Sequence, residues 1–148
     1  MAERYRAGGI QKMINRVARF ASLSGAGPVW ELTTRGHLSG EARTVPVAPI
    51  DLEGTRYIVA AYGIVGWVVN LRSSGTATLA RGRTRQSIEV TEVDAEEAGK
   101  VLAAYYPAYA VILARHFDLP GAPAVDDFVK AAEEHPVFRV TRTRPADR

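Results

Sequence analysis

Residues 29–47 read VWELTTRGHLSGEARTVPV and predict a strand, a loop that contains two glycines, and a second strand. The run Val29–Thr34 combines apolar and threonine residues, and Arg43–Ile50 alternates between polar and apolar residues, as strands do. Two prolines in the second run place part of it at a sheet edge or a bulge, because proline cannot donate to a ladder. Strands joined in series by short loops favour an antiparallel sheet.

The rest of the chain continues with strands and then changes to a helical period. Asp94, followed three residues later by Glu97, has the pattern of a capping box and predicts a helix that starts at Ala95. Pro107 predicts a kink or break in that helix, because proline lacks an N–H. The predicted elements are a turn at Asp51–Gly54, a strand at Thr55–Tyr62, a short helix at Trp67–Ser73, a hairpin of Thr76–Ala80 and Arg83–Val93 about Arg81-Gly82, helices at Ala95–Tyr105, Ala108–His116 and Asp126–Glu134, and a strand at Val137–Thr143.

The predicted fold class is mainly β with helices (α+β), with five or six antiparallel strands closed into a small barrel. A length of 148 residues suits one domain. We therefore expect a single domain over residues 1–148, with an N-terminal amphipathic helix within 1–24, a barrel core at 29–93, helices at 94–134 and a closing strand at 137–143. A one-sided stripe of apolar residues between Arg6 and Ala21 predicts the N-terminal helix.

Composition excludes several classes of protein. The chain has no cysteine, which excludes disulfide scaffolds, thiolate metal sites and iron–sulfur clusters. Its three histidines are scattered without ligand spacing, so we expect no metal site. No apolar run reaches the length of a membrane span. The formal net charge is +3, and 16 of the 19 basic residues are arginine, whose forked donors suit phosphate and carboxylate groups.

Three segments carry side chains suited to an anionic ligand with a flat ring. Arg35 and Arg43 stand at the two ends of the glycine loop, whose N–H groups could form an anion-holding concavity; the alternative is an ordinary hairpin loop. A short helix that starts after glycines offers free N–H groups and the face of Trp67, although Trp67 and Leu71 could instead belong to the core. The tyrosines of residues 105–109 either line a pocket or pack a helix on the barrel.

These segments, in this order, resemble the deazaflavin-dependent nitroreductase family of actinobacterial split-barrel proteins. The family pattern is L-T-T-x-G-R-x-[ST]-G-x-x-R-x-x-P-[LV], then W-x-x-N-L-[RK], then Y-P-x-Y. The chain has LTTRGHLSGEARTVPV, WVVNLR and YYPAY, so the resemblance covers about residues 30–109 and the closing strand. It implies a split β-barrel of the FMN-binding split-barrel-like type that binds coenzyme F420, a deazaflavin with a phosphate and a glutamate tail. It also implies hydride transfer from the reduced coenzyme to a quinone, nitro or other unsaturated acceptor.

Matching positions to the family pattern implies a role for each segment. The loop holds the phosphate and tail, the second strand flanks the ring edge, the segment after Thr55–Tyr62 lies along the ring, and the short helix completes the cofactor side. Tyr106 and Tyr109 face the substrate as the catalytic pair. The cofactor-binding set is Arg35, His37, Ser39, Gly40, Arg43, Val45, Pro46, Val47, Ala60, Ala61, Tyr62, Gly63, Trp67, Asn70, Leu71 and Arg72.

Two departures from the family pattern remove positive charge where the cofactor's tail would lie. The basic pair after the first loop glycine is replaced by His37-Leu38, and the loop before Trp67 is shortened and carries the apolar pair Ile64-Val65. A charge-assisted contact is worth roughly 1.5–3 kcal/mol, so two losses weaken affinity by about two orders of magnitude or more. Two alternatives stay open: a lipid- or fatty-acid-binding split-barrel protein without deazaflavin chemistry, and an FMN-binding reductase.

The expected partner is a small-molecule hydride acceptor. Residues 6–21 either lie on an anionic membrane surface or pack on the barrel or on a homodimer partner. We expect no nucleic acid, because the arginines at 81, 83, 85, 139, 142 and 144 lack interleaved aromatic residues. The expected location is cytoplasmic, either free or peripheral at the inner face of the cell membrane.

Overall fold

The computed structural model of the chain describes residues 29–113 and 124–146, and the side chains of these residues except 107–113. The predicted helix between Arg6 and Ala21 lies outside these residues. The strands are β1 Trp30–Arg35, β2 Ala42–Val47, β3 Ile50–Leu52, β4 Thr55–Val59, β5 Thr76–Arg81, β6 Thr84–Glu92 and β7 Val137–Pro145. The helices are α1 Gly66–Ser74, α2 Ala95–Leu113 and α3 Val125–Ala131.

All seven strands belong to one antiparallel sheet in the order β2-β1-β5-β6-β7-β4-β3. The predicted antiparallel α+β class is confirmed, but the strand number of five or six is wrong. The additional strand is β3, which occupies half of the segment predicted as a turn. Only Glu53 and Gly54 form that turn, and both have positive φ angles, 52° and 82°, as a tight two-residue hairpin loop requires.

The two edge strands of the sheet are neighbours in the chain. Only Ala48 and Pro49 separate β2 from β3, so Val47 and Ile50 can lie at most about 11 Å apart. Because this short link ties together the two ends of the hydrogen-bonding order, the sheet curls into a half-barrel, which is the split-barrel form. Pro46 lies in an edge strand, as predicted.

Alternate residues of β4 face two separate hydrophobic clusters. Ile58 belongs to the cluster inside the curl of the sheet, together with Trp67 and Leu71 from α1; we call it the barrel core. Tyr57 and Val59 belong to a second cluster, in which α2 and α3 pack on the sheet; we call it the helix cluster. The period-2 alternation of a strand thus lets β4 serve both cores.

Three predicted boundaries are wrong, each for a local reason. The β5–β6 loop consists of Gly82 and Arg83, one residue later than predicted, because Gly82 takes the positive φ of 58°. Helix α2 continues through Pro107 as one element, Ala95–Leu113, so the two predicted helices are joined even though proline removes an N–H bond there. β4 ends at Val59 rather than Tyr62, because the residue opposite Ala60 is Pro136, which accepts the Ala60 N–H at 2.9 Å but has no N–H to donate in return.

Other boundaries agree with the prediction or differ by a few residues. The N–H of Glu97 donates to Asp94 Oδ1 at 2.9 Å, which confirms the predicted cap at the start of α2. Helix α3 ends at Ala131, three residues earlier than predicted. Within the described residues, no helix is long and apolar enough to cross a membrane.

Candidate functional site

The loop between β1 and β2 is held closed by its own hydrogen bonds. Gly36 N–H donates to Glu41 O and Gly40 N–H donates to Gly36 O, both at 2.8 Å. Glu41 N–H donates to Ser39 Oγ at 3.2 Å. A Cβ atom on Gly36 would lie only 2.6 Å from Ser39 Oγ, and Gly40 has a φ of 72°. The two glycines therefore allow a compact loop in which the serine folds back over the backbone.

Few backbone donors of this loop remain available to a ligand. Residues 36–41 carry six backbone N–H groups. Four of them have an acceptor, and only those of Leu38 and Ser39 have none within the part of the chain that the structure describes. The Leu38 side chain is 90% exposed at the loop tip. The concavity proposed from the glycines is thus narrower than the sequence implied, with two adjacent N–H groups at its tip.

The two arginines at the ends of the loop are both in place but start from opposite faces of the sheet. Arg35 pairs in register with Ala42 and Arg43 with Thr34, and successive side chains alternate in a strand. Arg35 Nη1 donates to Gly40 O at 3.1 Å. Arg43 forms an exposed ion pair with Glu41 at 3.2 Å. An anion at the loop would therefore compete with Glu41 for Arg43.

Asn70 joins α1 to the loop and to β1. Its side chain is buried; Nδ2 donates to Thr34 Oγ1 at 3.0 Å, and Oδ1 accepts the His37 backbone N–H at 3.0 Å. The His37 ring Nδ1 also lies 3.2 Å from Oδ1 and donates to it when protonated at that nitrogen. The resemblance implies that Asn70 contacts the cofactor, but in the structure its amide group bonds to Thr34 and His37 and so fixes the loop. Thr34 is a site residue that the sequence did not reveal, since a threonine in a strand carries no special signal.

The other predicted residues of α1 divide between core and surface. Trp67 and Leu71 are buried in the barrel core, and the Trp67 ring lies 6.1 Å from that of Phe138. Arg72 points to β6, where it forms two hydrogen bonds with Glu92 at 2.7 and 2.9 Å. These bonds raise the pKa of the Arg72 guanidinium. The helix thus brings Asn70 to the loop and directs Arg72 to another strand.

A partly buried apolar surface adjoins the barrel core. Val45 and the pair Ile64-Val65 pack against the core without being fully covered, and Val47 is buried within it. Pro46 lies between Val45 and Val47 in β2, so it faces the opposite side of the sheet, and it pairs with Glu31. Val45, Ile64 and Val65 are among the partly buried apolar side chains at the barrel core that a ring or an acyl chain could contact.

The segment after β4 is fixed by the residues that precede β7. Ala60 O lies 3.0 Å from the Nδ1 of the buried His135 and accepts the Gly63 N–H at 3.1 Å. Ala60 belongs to the barrel core, whereas Ala61 and Tyr62 pack in or against the helix cluster. Residues 60–62 therefore do not form one continuous face toward a bound ring. No local pattern indicates the His135 contact, because the two residues are 75 positions apart.

The tyrosine segment lies in the helix cluster. Tyr105 is buried there, and the half-buried Tyr106 packs its ring against Phe128 at a centroid distance of 5.5 Å. The backbone of Tyr109 belongs to α2, and its side chain lies outside the described part of the chain. The structure thus places Tyr106 and Trp67 in different clusters.

A part-buried polar group is attached to the same cluster through Tyr57. Tyr57 O–H donates to Glu97 Oε2 at 2.9 Å, and Arg139 donates to both oxygens of Glu97 at 3.0 Å. Burial, and then the hydrogen bond to Glu97, raise the pKa of the Tyr57 phenol. These bonds connect β4, α2 and β7. The Glu97 carboxylate therefore bonds to the side chains of two strands and does not complete the predicted capping box.

A cavity of about 640 Å³ opens over the outer face of the sheet, where Arg35 and Ala42 form one end of its lining. The rest of the lining comes from β1, α1, β5, β6 and β7 and includes Arg85, Arg142 and Arg144. The sequence carries a signal for these residues, because arginines two apart in a strand share a face. Arg35 and Ala42, which pair at the base of the loop, both line this cavity.

Known structures of similar fold are split-barrel proteins. A NimC/NimA family protein from Clostridium acetobutylicum matches at 18% identity and a TM-score of 0.55, over 86% of this chain and 79% of that one. An F420-H2-dependent reductase (FDR-A) matches at 25% identity and a TM-score of 0.52, over 76% and 93%. A structure described as a domain-swapped dimer matches at 22% identity and a TM-score of 0.51, over 88% and 96%.

No protein-family model and no curated protein sequence matches the chain. The fold is therefore better defined than the family. Together the structural likenesses support a place in the split-barrel flavin and deazaflavin oxidoreductase-like superfamily, without identifying a particular family within it.

Proposed function

We propose that the chain is an oxidoreductase that binds coenzyme F420 and passes hydride from the reduced coenzyme to a quinone, nitro or other unsaturated acceptor. The observation that supports this most is the likeness, at 25% identity over 93% of that chain, to an F420-H2-dependent reductase. The motif segments shared with the deazaflavin-dependent family agree with it. On this proposal residues 1–148 form one domain, with the N-terminal residues packed on the barrel or on a second copy.

The residues at the loop fit an anionic group, although with few donors. The N–H groups of Leu38 and Ser39 are available, and Arg35 and Arg43 flank them. Arg43 would exchange its exposed contact with Glu41 for a contact with the ligand, and an exposed ion pair is worth little. Arginine forms strong bidentate contacts with phosphate, so the exchange costs little.

The apolar surface formed by Val45, Ile64 and Val65 fits the flat face of a ring. When bound, a reduced deazaflavin supplies the hydride itself, so no catalytic triad or metal is needed from the protein. The chain's own task is to hold the ring, and the buried Asn70 contributes by fixing the loop that would hold the anionic part. In this proposal Tyr106 and Tyr109 border the acceptor.

The same surface supports a second candidate function, the binding of a fatty acid. Ile64 and Val65 stand where a basic residue would favour a polyanionic tail, and Leu38 is exposed at the tip of the adjacent loop. An acyl chain would gain about 25 cal/mol per Å² of apolar surface buried there. A cofactor titration separates this function from the first.

The test is a titration of the purified protein with coenzyme F420 by its fluorescence, with FMN and a long-chain fatty acid titrated in parallel. We expect F420 to bind, and Arg43→Gln to weaken binding about tenfold, which corresponds to one partly screened charge-assisted contact. Lys100→Gln is the matched control, because Lys100 is an exposed cation on α2. Reduced F420 should then be oxidised by a naphthoquinone or a nitroimidazole.

Absence of F420 binding would refute the proposed oxidoreductase function in its deazaflavin form. FMN binding in that case would identify a flavin reductase, and retention of the fatty acid would identify a lipid-binding protein. Equal losses of F420 affinity in Arg43→Gln and Lys100→Gln would show that the loop is not part of the cofactor site.

A homodimer is part of the proposal, supported by the domain-swapped dimer among the structures of similar fold. Light scattering after size exclusion should give twice the mass of the 16.1 kDa chain. A monomer mass at micromolar concentration would refute this part alone.

A further inference from the structure

The outer face of the sheet carries a concentration of arginines that the proposed hydride transfer does not use. We give the name arginine groove to the cavity of about 640 Å³ over β1, β5, β6 and β7. Four arginines line it, with one carboxylate, that of Glu89. These four are Arg35, Arg85, Arg142 and Arg144.

The strand register aligns hydroxyl groups with these arginines. Thr33 pairs with Thr78, Thr78 with Ser87, and Ser87 with Arg144, which makes one row across four strands. Neighbouring members of such a row are about 4.8 Å apart in the hydrogen-bonding direction. Arg85, two residues from Ser87, is a diagonal neighbour of Arg144 at about 7–8 Å. An extended ligand along this row would meet hydroxyls and then guanidinium groups.

The positive charge of the groove is largely uncompensated. Within the described residues, the side chains of Arg85 and Arg144 have no hydrogen-bond or ion-pair partner. Arg142 approaches Glu89 only to 3.8 Å, and both side chains are about half exposed or more. Four cations against one carboxylate leave an excess of three positive charges, which repel one another until an anion binds.

The lining defines the chemical class of the ligand. Forked guanidinium donors combined with hydroxyls suit phosphate oxygens, and the volume lies in the range of small-molecule sites. No aromatic side chain lines the groove within the described residues, so it offers no platform on which a base or ring could stack. We infer that the arginine groove is a second binding site, for a small ligand with two or more linked phosphate groups.

This site is separate from the proposed cofactor site, with which it shares Arg35 and Thr34. The test is isothermal titration calorimetry of the full chain at low salt with tripolyphosphate and with inorganic phosphate. We expect tripolyphosphate to bind at least tenfold more tightly. Arg144→Gln and Arg85→Gln should each weaken tripolyphosphate binding about tenfold.

Glu89→Gln provides the sharpest readout, because it should tighten binding several-fold by removing the one anionic side chain and releasing Arg142. A purely structural role for this carboxylate would predict no gain. Arg83→Gln is the matched control, since Arg83 is exposed in the β5–β6 loop and does not line the groove. F420 affinity should be the same in Arg144→Gln as in the unmodified chain, so this inference and the cofactor proposal fail separately.

Three outcomes would overturn the inference. One is equal binding of tripolyphosphate and inorganic phosphate, and another is an equal loss in Arg83→Gln and Arg144→Gln, which would show a general charge effect. The third is a single-stranded oligonucleotide that binds more tightly than tripolyphosphate and loses affinity in Arg144→Gln, which would make the groove a nucleic-acid surface.

Discussion

Replacing Asn70 with alanine removes the side chain that fastens α1 to β1 and to the loop. The buried Thr34 hydroxyl, 2% exposed, loses its donor, and a buried polar group left unpaired costs about 1–3 kcal/mol. The His37 N–H is only partly buried and can bind water instead, so its lost bond costs about 0.5–1 kcal/mol. We expect the free energy of unfolding to fall by about 1.5–4 kcal/mol, or the Tm by about 5–12 °C.

Urea unfolding measures this loss through the fluorescence of the two buried tryptophans, Trp30 and Trp67. Ser73→Ala, an exposed change on the same helix, is the control and should alter stability by less than about 0.5 kcal/mol. Combining Asn70→Ala with Thr34→Val should restore about 1 kcal/mol relative to additivity, because the double variant leaves no orphaned hydroxyl. A loss below about 0.5 kcal/mol, or strict additivity, would refute the reasoning.

Three further predictions concern the helix cluster and the start of α2. Gly99→Ala should cost about 1–3 kcal/mol of stability in urea unfolding, because its Cβ would lie 2.4 Å from Val129 Cγ2 and 3.0 Å from Val129 Cα. Stability should fall above about pH 10 as Tyr57 ionises, since burial raises its folded pKa above the unfolded value and its contribution is complete only below the unfolded pKa. Asp94→Ala should cost about 1 kcal/mol by removing the cap on the Glu97 N–H.

Each of these has a result that would contradict it. A Gly99→Ala protein as stable as the parent would mean that α2 and α3 can move apart freely. For Tyr57, the comparison is Tyr57→Phe, and an identical alkaline decline in both proteins would exclude the phenol as its source. For Asp94, the variant Asp94→Asn keeps a capping oxygen and should retain most of the stability; equal losses in both variants would point to charge instead of the cap.

Local patterns in the sequence predict much of the fold. The alternation in residues 29–47, the cap at Asp94 and the strand before the C-terminus all correspond to elements of the structure. The β5–β6 hairpin was also predicted, with its loop displaced by one residue because only the glycine accepts a positive φ. The short strand β3 was missed, since three residues give no periodicity, and its pairing with β4 depends on a two-residue turn.

The candidate site is less predictable, because its connections are long-range. The motif indicates Asn70 but not its partner Thr34, which is 36 residues away. Likewise nothing local connects Ala60 with His135. The family resemblance implies that Arg72 contacts the cofactor, but no local pattern indicates its hydrogen-bond partner Glu92, which is 20 residues away. The groove arginines were visible as a basic pattern, yet only the strand register places them on one face with hydroxyls.

The two-residue link between β2 and β3 has a consequence for how this protein can lose its structure. Six hydrogen-bonded ladders join the seven strands, and none joins β2 to β3 within the described residues. Cleavage of the chain at Ala48–Pro49 would therefore break no ladder, yet it would release the two ends of the sheet from each other. Both unpaired edges could then swing outward and pair with another copy. The only covalent restraint between the two ends of the sheet in this region is thus a dipeptide, which adds to the packing of Val47 on the barrel core and of Ile50 on the helix cluster.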